Sequence, residues 1–112
     1  MLYTEVMARL GEFQEAVLLA AINLRPHEEH YGAKIIETIE RVLDRTVHQG
    51  ALATTLNRLE ARGLITTHLG DPTPERGGRA KRFVTVTRDG RKALEEAKRH
   101  REGILLLRTR TT

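Results

Sequence analysis

Apolar residues recur along this chain at helical spacing in four places and at strand spacing in two. Over residues 12–24, Phe13, Val17, Ala20, Ala21 and Leu24 fall three or four apart, which predicts a helix with one apolar face. Leu18, Leu19 and Ile22 fall on other faces, so the run 16–22 is apolar nearly all round. A small domain hides such a helix only if neighbours wrap it; otherwise the spare face meets another subunit. Pro26 ends this helix, and residues 27–30 read as a polar loop. Ile35, Ile36, Ile39, Val42 and Leu43 mark a second helix over 33–43. Leu52, Leu56 and Leu59 mark a third over 49–62, with Gly63 placed as its left-handed terminator.

The pattern then changes to strands, 64–69 and 83–87. Between them Asp71-Pro72, Pro74 and Gly77-Gly78 break any helix, and Gly77-Gly78 supply the positive φ of a tight reversal. Thr87 is placed as the N-cap of a last helix over 88–107. Its apolar stripe, Leu94, Ala97, Ile104 and Leu105, is interrupted by Arg101, which is expected to reach an interface rim or a partner's acid. Residues 1–9 form an N-terminal extension without a clear boundary, and 108–112 a frayed tail. The order helix, helix, helix, strand, hairpin, strand, helix predicts a mainly α fold with a small β-hairpin. That order is a winged helix-turn-helix over 10–87 with an appended C-terminal helix over 88–107, whose stripe serves either the core or, with the spare face of 16–22, a homodimer contact.

The charge sharpens this picture through its position more than its total. The 112 residues carry a net charge of +4, mild basicity on its own. Arg76, Arg79, Lys81 and Arg82, however, crowd one end of the hairpin 70–82, where like charges repel. A polyanion explains them: Arg79, Lys81 and Arg82 suit phosphate or minor-groove contact. The preceding helix fits the same partner. With its leucines inward, Gly50, Ala53, Thr54, Asn57, Arg58 and Ala61 face out, short enough for the backbone to approach base edges in a major groove. Asn57 suits adenine, Arg58 guanine or a phosphate, and Thr54 a phosphate or a thymine methyl. Gln49 and the first helical turn offer N–H groups to a phosphate. His48 either approaches a phosphate or caps the helix, and Tyr31 either offers its hydroxyl to a phosphate or packs in the core. Taken singly, each of these is also an ordinary solvated residue; it is the basic hairpin directly downstream of the helix that favours double-stranded DNA.

Other chemistries find little support. With zero cysteines there is no disulfide, thiolate metal site or thiol nucleophile. His27-Glu28-Glu29-His30 has its histidines three apart in a loop and lacks a third ligand, so no metal or other cofactor is expected. No carboxylate pair or activated nucleophile suggests an enzyme. No apolar run approaches the ~20 residues of a membrane span, which fits a cytoplasmic, nucleoid-associated protein. A small-molecule inducer is not indicated either, because Tyr3, Phe13, Tyr31 and Phe83 are the whole aromatic complement. The remaining alternative is a winged-helix module that grips an acidic protein.

Several stretches together resemble the PadR family of transcriptional regulators across most of 10–107. They are Leu10-Gly11-Glu12-Phe13, Tyr31-Gly32-Ala33-Lys34-Ile35, Gly50-Ala51-Leu52, the run LNRLEARGLI from Leu56 to Ile65, and ERGGRAKRF from Glu75 to Phe83. Thr87-Arg88-Asp89-Gly90 matches the family's approach to its last helix. The resemblance implies a homodimeric winged-helix repressor of the short, single C-terminal helix type, bound to a pseudo-palindromic operator. It also implies dimer contacts between the C-terminal helix and the partner's N-terminal helix. Ala53 and Thr54 depart from the tyrosine and proline usual in the family, so its base-reading scheme does not carry over to these positions.

Overall fold

The computed structural model describes residues 9–25, 28, 31–70 and 82–111, with side chains to 107. Four helices and one hairpin follow in order: α1 Glu12–Asn23, α2 Tyr31–Leu43, α3 Gln49–Ala61, β1 Ile65–Leu69, β2 Arg82–Val86 and α4 Arg88–Thr111. The strands pair antiparallel, from Ile65 opposite Val86 to Leu69 opposite Arg82. This is the winged helix-turn-helix architecture the apolar periodicities predict.

Helix α1 is the centre of the core. Val17 and Leu18 are wholly buried and Ala20 and Ala21 nearly so, because α2, α3, β2 and α4 all pack around it. Leu18, expected on a spare face, is therefore covered within the chain; Leu19 remains 44% exposed. The core continues through Ile35 and Ile39 of α2, Leu52, Leu56 and Leu59 of α3, and Ile65, Phe83, Val84 and Val86 of the sheet.

The joints explain how these elements are aimed. Helix α2 begins at Tyr31, two residues earlier than the apolar pattern suggests, because Tyr31 is itself a core residue. Asp44, with φ of 54°, turns the chain out of α2, and the Glu40 carboxylate accepts the Val47 N–H at 2.9 Å, holding the approach to α3. Helix α3 ends in a two-bond cap: Gly63 N–H donates to the Glu60 carbonyl at 2.9 Å and Leu64 N–H to that of Leu59 at 3.0 Å. Gly63 takes φ of 77° there, and buried Leu59 and Leu64 supply the apolar contact that accompanies this motif.

Thr87 then caps α4. Its hydroxyl accepts the Gly90 N–H at 3.0 Å and donates to the Gly63 carbonyl at 2.8 Å, tying the start of α4 to the end of α3. Leu94 is the buried anchor of α4, and further along Arg101 grips Glu15 of α1 with two hydrogen bonds of 2.8 and 2.5 Å. Arg101 thus finds its acid within its own chain. The helix runs on to Thr111 rather than ending at 107, since no glycine or proline follows Gly103.

Candidate nucleic-acid interface

The outward face of α3 is as small and polar as the leucine spacing implies. Gly50, Ala53, Thr54, Asn57, Arg58 and Ala61 are all exposed, as are His48 and Gln49 at its start. Thr55, by contrast, turns inward and is buried beside the leucines. His48 occupies the N-cap in extended conformation, but its side chain makes no capping hydrogen bond. The N–H groups of the first turn of α3 therefore receive no bond from that ring.

The hairpin is rooted against this face. Arg82, the first residue of β2, donates from Nη2 to Asn57 Oδ1 at 3.0 Å and to Glu60 Oε1 at 3.4 Å. The other oxygen of Glu60 accepts from the Thr67 N–H at 3.2 Å and the Thr67 hydroxyl at 2.9 Å. One carboxylate thus joins α3 to both strands. Thr67 and Glu60, the companions of Arg82, were missed by reading charge and face alone. The signal was present in spacing, since Glu60 lies one turn beyond Asn57 on the same face. Arg76, Arg79 and Lys81 lie outside the described residues, as do the hairpin tip and the histidines of the 27–30 loop.

Tyr31 is settled differently. It is 3% exposed, its ring meets Phe83 edge-on at 5.4 Å, and its hydroxyl donates to the Val84 carbonyl at 3.0 Å. Of the two roles open to it, the core role is the one the geometry satisfies; the hydroxyl points into the protein rather than toward a phosphate. Burial pushes the phenol above its ordinary pKa, because the charged form loses its water. The stability tied to the neutral phenol is therefore complete below the ordinary tyrosine range and is lost as the pH climbs through the raised value. Tyr31→Phe leaves the Val84 carbonyl without this donor and is expected to cost about 1–2 kcal/mol in urea denaturation. The salt dependence of DNA binding by the folded variant should not move. A change in that slope would return Tyr31 to the interface.

On the side of the sheet nearest the end of α1, a cleft of about 200 Å³ is lined by Ile22, Leu24, Tyr31, Phe83, Thr85 and Arg91, among others. Its walls are mainly aliphatic and aromatic core edges. Among the described residues no group of three metal-ligating side chains comes together, and no helix is long and apolar enough to cross a membrane.

Comparison with known proteins agrees with this geometry. A model of the transcriptional regulator PadR-like family matches residues 18–96, most of the chain. The chain belongs to the PadR-like family. Family members are transcription regulators rather than enzymes, and their winged-helix fold is a DNA-binding one. Among the solved structures that share the fold are three transcription regulators. A PadR-like transcription factor from Bacteroides fragilis superposes with a TM-score of 0.71 over 99% of this chain and 98% of its own, at 16% identity. A transcriptional regulator from Thermoplasma acidophilum gives 0.65 at 16% identity, covering 96% of both chains. A PadR family transcription regulator from hypervirulent Clostridium difficile R20291 gives 0.59 at 19% identity, over 88% of this chain and 97% of its own. No curated protein matches by sequence. At such identities the likeness is one of fold, and the side chains that read DNA have to be argued from this chain.

Proposed function

We propose that this protein is a homodimeric, sequence-specific DNA-binding repressor acting in the cytoplasm at the nucleoid. Residues 10–87 form its DNA-binding unit and 88–107 its dimerisation helix. Helix α3 enters the major groove with Thr54, Asn57 and Arg58 toward the bases and neighbouring phosphates. His48, Gln49 and Gly50 place the start of the helix against the backbone. The hairpin 70–82 acts as the wing, where Arg79, Lys81 and Arg82 gain affinity from phosphates without reading the major-groove code. A bound dimer blocks transcription by occupying a pseudo-palindromic operator.

The observation that carries this reading is the 3.0 Å bond from Arg82 to Asn57, which sets the root of the basic hairpin beside the exposed face of α3. A surface of short side chains and a source of positive charge then address one duplex together. Selection of bound sequences from a randomised duplex pool tests it. The expected product is a palindrome with half-site centres about one helical turn apart. Arg79→Ala combined with Lys81→Ala should weaken binding to every sequence alike and reduce the salt slope by about two per subunit. A pool that stays unenriched would defeat the reading and shift attention to an acidic protein partner.

A further inference from the structure

Asn57 does not stand free on the helix face; three other residues hold its amide in one orientation. Arginine carries only donors, so the Asn57 atom 3.0 Å from Arg82 Nη2 has to be the carbonyl oxygen. The amide nitrogen therefore turns away from Arg82. The same Nη2 lies 3.4 Å from Glu60 Oε1, which draws the guanidinium toward the helix. Glu60 is in turn fixed through its second oxygen by the backbone and hydroxyl of Thr67. A relay thus runs from β1 through Thr67, Glu60 and Arg82 to Asn57, with each link fixing the next. Its members are partly exposed, the Arg82 and Glu60 side chains at 28% and 42%, and exposed ion pairs of this kind add little to stability. Orientation is what the relay supplies.

We propose that Glu60 and Arg82 are positioning residues that set the base preference of Asn57, by engaging its oxygen and leaving its N–H donors for the duplex. The proposal rests on the DNA-binding reading above and narrows it. An unrestrained asparagine can accept from adenine N6 and donate to N7 in one bidentate contact. With one lone pair of Oδ1 engaged by a cation, a donor base group brought to the other meets the Arg82 charge as well. Nδ2, turned away from Arg82, instead matches an edge made of acceptors. Guanine presents two, N7 and O6, where adenine places a donor amino group beside N7. Asn57 accordingly favours guanine over adenine, opposite to the pairing expected from its residue type alone.

Randomised-pool selection on the wild-type protein and three variants tests this. Asn57→Ala identifies the operator position that depends on Asn57 by abolishing the preference there. At that position the wild type should favour guanine over adenine by about tenfold, within what one good base contact supplies. Glu60→Gln can keep its oxygen on Thr67 but loses the charge that draws Arg82, so the guanine-to-adenine ratio should fall toward one. Glu60→Ala should do the same. In Glu60→Gln, which keeps the tie to Thr67 and leaves the Arg82 charge in place, affinity for random-sequence duplex should change less than about threefold. A merely structural Glu60 would lower affinity for all sequences and leave the ratio intact. An unchanged ratio in Glu60→Gln, or adenine favoured by the wild type, would overturn the proposal while the enriched operator still stood. A wild-type pool without enrichment would instead remove it together with the DNA-binding reading.

Discussion

Gly90→Ala is expected to destabilise the chain by roughly 3 kcal/mol or more, the upper end of what forced overpacking costs. For a domain of this size that lowers Tm by on the order of 10–20 °C. A Cβ at position 90 would lie 2.2 Å from the Leu64 carbonyl oxygen and 2.7 Å from Val86 Cγ1. Neither obstacle is the free end of a flexible side chain. The Leu64 carbonyl already accepts the Thr87 N–H at 3.0 Å, and the Gly90 N–H is held by the Thr87 hydroxyl at the same distance. Relief therefore means separating the first turn of α4 from the joint between α3 and β1, with loss of the cap and of the Thr87–Gly63 tie. Gly32→Ala is the comparison: a Cβ there meets nothing within 4 Å, so its Tm should match or slightly exceed that of the wild type. Thermal melts of the two variants decide the matter. Equal melting of both would mean that the close approach at Gly90 does not constrain the fold.

The same glycine shows where sequence reasoning reaches and where it stops. Thr87 announces a helix start through local chemistry, and Gly63 announces a helix end, so both are legible from a few residues. The need for glycine at 90 depends on a carbonyl delivered by Leu64, a distant part of the chain, and no local pattern contains that contact. Helix α1 teaches a similar lesson. An all-apolar helix can be wrapped or can face a partner, and periodicity does not choose between them. The structure covers Leu18 on all sides and leaves Leu19 exposed. Arg101 interrupts an apolar stripe, yet it pairs with Glu15 of its own chain.

At the proposed interface the legible part was the face of α3, because the leucine spacing fixes which residues turn out. Less legible was the second layer. Glu60 reads as one more solvated acid until Thr67 and Arg82 arrive from the hairpin, and Tyr31 reads equally as core or contact until Val84 accepts its hydroxyl. Both concern side chains whose partners come from other elements. Residue type and helical phase report on surfaces, whereas the orientation of a polar group on that surface is a tertiary property.

The second large effect concerns the end of α4. Ile104, Leu105, Leu106 and Leu107 are 47–65% exposed, and four consecutive residues at 100° steps span more than one side of a helix. Helix α4 has 24 residues, about 36 Å, and its buried anchor Leu94 lies in the first third. On the proposed function, a second copy covers this apolar end. Leu106→Glu combined with Leu107→Glu is expected to leave the monomer folded, since both side chains are about two-thirds exposed before the change. The dimer, by contrast, would bury two carboxylates from each subunit without partners, at a cost of several kcal/mol per ion. Sedimentation should then show a monomer where the wild type is a dimer. Operator affinity should fall by about 100-fold or more, because two linked readers gain 10²–10⁴ over one. If each subunit neutralises about four phosphates, the slope of log K against log salt should also drop from about −7 to about −3.6. The halved slope separates lost association from local damage, as each subunit would keep its own phosphate contacts. A variant that stayed dimeric with wild-type affinity would show that the apolar end of α4 lies outside the subunit contact.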